Sequence, residues 1–179
     1  FCLLLHKKNV MRYISVALLS VLLFAQGCSY NQQPKTVVID NQFSMLVPSF
    51  MKEDKEVRPG SPFQYANRFR NLYSTVFFDK KDAVKLPVEQ YYNSQIQIIK
   101  NVLEKPMVTD SAGITIDGQH AIHTEVFGKM QGEYIYYSHL LIETPDKYYQ
   151  VCVWTRGEDR KLKYANDIEA ILYSFKLVK

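Results

Sequence analysis

From Thr36 onward, short runs of alternating apolar and polar residues, separated by turn-forming pairs, dominate the chain and predict strands. Val37 to Asp40 and Phe43 to Val47 form two such runs split by Asp40-Asn41, and Pro48 ends the second. Lys52 to Glu56 is a charged run leading to Arg58-Pro59-Gly60-Ser61-Pro62, which reads as a solvated connection. Gln64 to Asn71 and Leu72 to Asp79 follow as successive strands, and the second carries apolar residues on both faces. Pro87 opens a helix where its missing N–H costs little. Val88, Tyr92, Ile96, Ile99 and Leu103 share one face of that helix, and Lys105-Pro106 stops it. Met107 to Ile116 then reaches the hairpin pair Asp117-Gly118, from which Gln119 to Lys129 returns. After Gln131-Gly132, Glu133 to Thr144 runs out and Lys147 to Thr155 runs back. Gly157-Glu158-Asp159 leads into a closing helix with Leu162, Ala165, Ile168 and Leu172 on one face and acids in its first turn. Ser174 to Val178 adds a last strand or docks on the sheet.

Strands apolar on both faces need cover on both sides. The expected fold class is therefore α+β, a single antiparallel sheet flanked by helices, in one domain over residues 36–179.

Before that domain the pattern is different. Met11 and Arg12 start a basic n-region, and Ile14 to Ala25 are an apolar run of twelve residues. That length falls within the roughly 7–15 of a secretory signal and below the ~20 of a membrane span. The run ends in Ala25-Gln26-Gly27-Cys28, which resembles the lipobox of bacterial lipoproteins, although Ala25 and Gln26 depart from the commonest residues there. The resemblance implies cleavage between Gly27 and Cys28, with lipid attached to the Cys28 sulfur. The alternative is an ordinary secretory signal or an uncleaved anchor in which Cys28 is incidental. Residues 1–10 read as an upstream extension, residues 1–27 as extension plus signal, and residues 28–35, which contain Pro34, as lipidated cysteine and tether. Ser29-Tyr30-Asn31-Gln32 carry no acid, which in the resembled system implies an outer-membrane lipoprotein facing the periplasm.

Charge changes the picture only until that segment is removed. The chain has a formal net charge of +4, but residues 1–27 hold Lys7, Lys8 and Arg12 and no acid, leaving 19 basic against 18 acidic side chains. So balanced a surface argues against nucleic acid as a partner. The mature portion, of about 150 residues, is long enough for one self-sufficient core. Cys152 is its one cysteine besides Cys28, so no internal disulfide is expected, and its β-rich surroundings suit a small buried hydrophobe.

Candidate chemistry is sparse. His120 and His123 are spaced as H-x-x-H, but on a strand this separation sends the rings to opposite faces. His139 is the one other mature histidine, and a zinc site needs three or four ligands, so no metal or cofactor is expected. Glu125, Glu133 and Glu143 lie on neighbouring strands, where charged sheet edges are commoner than acid/base pairs. No nucleotide-binding or hydrolase signature occurs. The richest feature is aromatic: Tyr134, Tyr136, Tyr137, Tyr148 and Tyr149, with Trp154, crowd one hairpin. Tyrosines suit sheet packing, and they equally suit a partner or ligand surface. Alternation puts Tyr134 and Tyr136 on one face and Tyr137 on the other.

Phe43-Ser44-Met45-Leu46-Val47-Pro48, Ile116-Asp117-Gly118-Gln119-His120-Ala121 and Ile171-Leu172-Tyr173-Ser174-Phe175 resemble the early strand, mid-domain hairpin and closing helix of the PsbP-like α/β/α sandwich superfamily. That superfamily includes DcrB-like envelope lipoproteins. The resemblance spans about Thr36 to Lys179 and implies the α/β/α sandwich, but its motifs specify turns and packing, so no functional residue transfers. The expectation is a membrane-anchored envelope lipoprotein, attached through the lipid on Cys28, with a non-catalytic domain that binds an envelope protein or a ligand. The competing expectation is a periplasmic hydrolase using Glu125 or Glu143 with His123 or His139.

Overall fold

The computed structural model describes residues 33–109 and 111–178, so the predicted signal, Gly27 and Cys28 lie outside the described residues. Asp40 (φ 49°) and Asn41 (φ 54°) both adopt the left-handed conformation that a tight hairpin requires. They fold β1 (Lys35–Ile39) antiparallel onto β2 (Phe43–Val47), with Lys35 opposite Val47 and Ile39 opposite Phe43. β3 (Lys52–Glu53), β4 (Phe63–Asn67) and β5 (Leu72–Lys80) follow, then the single turn α1 (Lys81–Val84) and the long helix α2 (Val88–Asn101). β6 (Glu104–Val108), β7 (Ala112–Ile116), β8 (Gln119–Met130), β9 (Glu133–Glu143) and β10 (Lys147–Arg156) form a strand series. α3 (Arg160–Lys163), α4 (Ala165–Leu172) and β11 (Lys176–Leu177) close the chain.

The α+β antiparallel architecture expected from the pattern is present. Its main sheet has eight strands in the order β3-β4-β5-β10-β9-β8-β6, with β7 also paired to β8. The first hairpin does not join it: β1, β2 and β11 make a separate three-stranded sheet, in which β11 returns to pair with β2.

Both faces of the main sheet are covered. On one, Ile96 of α2 and Leu103 pack on Val126 and Ile135, while Tyr91 packs on Leu141 and Tyr148. On the other, Phe43, Met45 and Val47 of the small sheet join Ile168, Ile171 and Leu172 of α4 and Phe175 over Leu72, Val76, Leu140, Val151 and Val153.

Several boundaries differ from expectation. Pro87 is the residue before α2 (φ −58°, ψ 156°), not its first helical residue, and the helix ends at Asn101 before Lys105-Pro106 is reached. Pro106 lies within β6, an edge strand whose register shifts between Glu104 and Met107, which is where a residue without an N–H is tolerated. The stretch Met107 to Ile116 is divided between two strands, β6 beside Val126 to Lys129 and β7 beside Gln119 to His123. Ser61 of the predicted solvated loop is buried, its hydroxyl donating to the Val76 carbonyl at 2.6 Å with the Phe63 carbonyl 3.0 Å away. The closing helix is broken at Tyr164, its first turn has no acid, and Leu162 points to solvent while Tyr164 is buried.

Gly128 holds one wall of the molecule in place. A Cβ there would stand 2.9 Å from Leu103 Cβ and 3.2 Å from the Glu104 carbonyl, neither of which can swing aside. Gly128→Ala is therefore expected to destabilise the domain by about 1–3 kcal/mol, read as a lowered urea midpoint. An unchanged midpoint would mean that the segment entering β6 yields freely.

Candidate binding groove

Phe127 of β8 and Tyr136 of β9 are cross-strand partners with ring centroids 5.1 Å apart. Lys161 of α3 crosses above them, its ammonium 4.7 Å from each ring centroid. That ammonium ends on Glu125 Oε2 at 2.7 Å, and the Tyr136 hydroxyl donates to Glu125 Oε1 at 2.7 Å. Burial alone would raise the Glu125 pKa. The Lys161 and Tyr136 hydrogen bonds, with the charges of Lys161 and His123, outweigh it and hold the carboxyl below its ordinary value. Burial and the Glu125 carboxylate push the Tyr136 phenol upward. The cluster is thus a fixed ion pair above an aromatic floor.

Beside it opens a groove of about 730 Å³, walled by Met107, Phe127, Tyr134, Tyr136 and Leu162 and rimmed by Lys105, Lys129 and Lys161 together with Glu104 and Glu158. That volume is within the range of ligand and anchor-residue pockets. Lys129, opposite Tyr134 in the sheet, holds its ammonium 4.4 Å from that ring centroid. Local backbone geometry turns Leu162 toward the groove. Gly157 takes φ 111°, its N–H donating to the Tyr134 carbonyl at 2.8 Å, and α3 lasts one turn before the break at Tyr164. Leu162 is 83% exposed, and beside it Met107 is 68% and Tyr134 44% exposed.

Of the five tyrosines expected to form one binding surface, Tyr134 and Tyr136 line the groove. Tyr137 lies on the opposite face and stacks on Trp154 at 5.7 Å. Tyr148 is buried beneath α2, stacked on Tyr91 at 4.7 Å, and Tyr149 is buried between Phe43 and Phe175, so neither offers a surface. Sequence reasoning missed Phe127, Lys161 and Met107, and it assigned Leu162 to the core. The signal that could have found Leu162 is its place between two lysines just before a tyrosine able to take over the buried position.

The four residues of the hydrolase expectation divide between the two faces. His123 and Glu125 share a recess of about 50 Å³ on the α4 side, room for about one or two waters. The His123 Nε2 is 2.9 Å from Ser138 Oγ and its Nδ1 is 3.1 Å from the Tyr173 hydroxyl, so both ring nitrogens are engaged. Ser138 is 1% exposed, and Glu125 is already held by Lys161. On the α2 side, Glu143 accepts from Lys81 Nζ at 2.6 Å with His120 Nδ1 at 3.5 Å, while His139 Nε2 meets Gln150 Oε1 at 3.0 Å in the dry interior. His120 and His123 thus face opposite sides, as their spacing on a strand requires. Glu133 pairs instead with Arg156. Among the described residues no group of three or more His, Cys, Asp or Glu side chains is placed to hold a metal. Cys152 is fully buried, and burial pushes its thiol up to about 11, so it stays protonated near neutral pH.

No protein-family model matches the chain, and no curated protein does. Solved structures do. The crystal structure of LpqN, involved in cell envelope biogenesis of Mycobacterium tuberculosis, matches with TM-score 0.61 and 13% identity over 82% of this chain and 91% of that one. The solution structure of cyanobacterial PsbP (CyanoP) from Synechocystis matches with TM-score 0.54 and 13% identity over 81% of this chain and 91% of that one. The chain has the PsbP-like fold. A third structure of similar shape, the Saccharomyces cerevisiae Ran-binding protein Mog1p, matches with TM-score 0.56 and 13% identity over 82% and 96% of the two chains. At these identities the likeness covers the PsbP-like fold and nothing of the groove's chemistry.

Proposed function

We propose that this PsbP-like chain is a membrane-anchored envelope lipoprotein of the DcrB-like kind. Residues 1–27 are removed, Cys28 carries the lipid, residues 28–35 are the tether, and the domain binds another envelope protein through the groove. The observation that carries the binding role is the exposure of Leu162, Met107 and Tyr134 around one cavity. A single exposed leucine is ordinary, but a cluster of large apolar side chains rimmed by charged ones is the usual anatomy of an interaction site. The sequence of residues 14–28 supports the anchor, and the absence of an acid after Cys28 supports the periplasmic face of the outer membrane. LpqN and Mog1p, with their envelope and Ran-binding descriptions, lend support by analogy.

The hydrolase reading has less support, because the His123 recess has no room for a substrate and the other pair is on the far face. Leu162→Glu combined with Met107→Glu is expected to leave thermal stability nearly unchanged, since both side chains already face solvent. The same pair is expected to abolish capture of the partner from cross-linked envelopes. Undiminished capture would remove the groove from the account, and loss of capture in a Cys28→Ser control would tie it to the anchor.

A further inference from the structure

The end of the domain that meets the tether also carries its most exposed large apolar residue among the described ones. β1 starts at Lys35, opposite Val47, with its ammonium 5.7 Å from the Tyr65 ring of β4. Beyond β4 the chain turns through Arg68-Phe69-Arg70-Asn71 into β5, with Asn71 at φ 51°. The turn is fastened rather than loose. Asn67 Oδ1 accepts from the Arg70 N–H at 2.9 Å, and Asn67 Nδ2 donates to the Phe50 carbonyl at 2.7 Å. The Arg70 guanidinium lies 3.9 Å from the Phe50 ring centroid, in the segment that leaves β2 just after the residue paired with Lys35. Arg68 is pinned to Asp54 (2.7 Å) and Glu56 (3.0 Å). Phe69, at the tip, is 93% exposed.

Two features give this turn a direction. Cys28 stands seven residues before Lys35 in the sequence, and seven residues at full extension reach about 25 Å. β5, nine residues long, carries the other end of the sheet about 30 Å further away. The tether therefore enters the domain at the Phe69 end, and the end bearing Asp40-Asn41 and Pro145-Asp146 stands about 17 Å further along β1. Arg70 and Lys35 make no direct ion pair among the described residues, and Arg70 feels one carboxylate at longer range, that of Asp167.

We infer that the Arg68-Asn71 turn is a second, non-covalent membrane contact, with Phe69 entering the headgroup boundary of an anionic phospholipid bilayer and Arg70 and Lys35 meeting lipid phosphates. This rests on the Cys28 anchor of the proposed function. Large apolar side chains such as phenylalanine bury at that boundary, arginine matches phosphate oxygens in a bidentate fork, and a lipid chain combined with a protein contact anchors and orients more firmly than either alone.

The test uses the full chain, isolated from membranes after processing, with intact mass establishing the acyl group on Cys28. It is reconstituted into phosphatidylethanolamine and phosphatidylglycerol vesicles with and without brominated acyl chains. Trp154, the one native tryptophan, sets the baseline. Phe69→Trp is expected to shift to the blue and lose its added emission on brominated vesicles, while Leu86→Trp at the opposite end keeps its own. Quenching of neither position, or of both equally, on acylated protein overturns the contact and leaves the anchor standing. Protein without acyl mass on Cys28 overturns both.

Discussion

Phe43→Ala is expected to destabilise the domain by about 3–5 kcal/mol, the largest effect of any single substitution considered. Phe43 is fully buried where the two sheets meet: its ring stacks on Phe175 at 5.5 Å and meets Tyr149 edge-on at 5.6 Å. It also stands opposite Ile39 and Leu177, so all three strands of the small sheet converge on it. Alanine would leave a void that neither the paired strands nor the fixed rings can close. For a domain whose whole stability is about 5–15 kcal/mol, the loss is a large fraction. Urea unfolding measures it directly. A loss below about 1 kcal/mol, the range of tolerated core swaps, would show that the small sheet is not docked through this residue.

Acidification is expected to have the next largest effect, through His139. Its Nε2 meets Gln150 Oε1 at 3.0 Å, Gln150 Nε2 donates to the Tyr91 hydroxyl at 2.7 Å, and Tyr91 donates to Asp79 at the rim. In this chain the imidazole is the neutral donor, and its Nδ1 has no partner within the protein. Burial pushes its pKa from the usual 6.5 down to about 4, against the opposing pull of Gln150. The unfolded chain takes up a proton below pH 6.5, while the folded one does so only near pH 4. Stability is thus complete above about pH 6.5 and declines as the pH falls toward 4, by roughly 3 kcal/mol over the interval. Urea midpoints at pH 7.5 and 4.5 should show the decline, and His139→Gln should remove most of it. His123, also held below its usual value by burial, leaves a smaller slope of the same sign. Glu125 and Asp54, both depressed carboxyls, contribute stability that is lost at lower pH still. An equally steep decline in the His139→Gln protein would contradict this assignment.

Where a strand boundary is written in local turn chemistry, it could be read from the chain. Asp40-Asn41, Asp117-Gly118 and Gln131-Gly132 each supply the backbone conformation that a reversal needs, and each marks a hairpin. The spacing of Val88, Tyr92, Ile96 and Ile99 likewise marks the packed face of α2, although it does not single out Tyr91, which is more deeply buried. What failed was whatever depends on distant partners. Pro106 ends a helix in most settings, yet here an edge position and a register shift admit it to a strand. The helical period placed Leu162 in the core, but the break at Tyr164 rotates it outward. The third strand of the small sheet is β11, which reaches β2 from the far end of the chain. The groove was half legible for the same reason. Alternation put Tyr134 and Tyr136 on one face, whereas Lys161 reaches Glu125 from 36 residues away.

The groove is the center of the functional account, and its occupancy is measured most directly by a photo-crosslinking side chain at position 162 of the full chain in intact envelopes. One discrete protein adduct is expected at that position, absent when the same probe replaces Val38 on β1 and lost when Tyr136→Ala alters the groove floor. No adduct at position 162, or the same adducts at both positions, would contradict it.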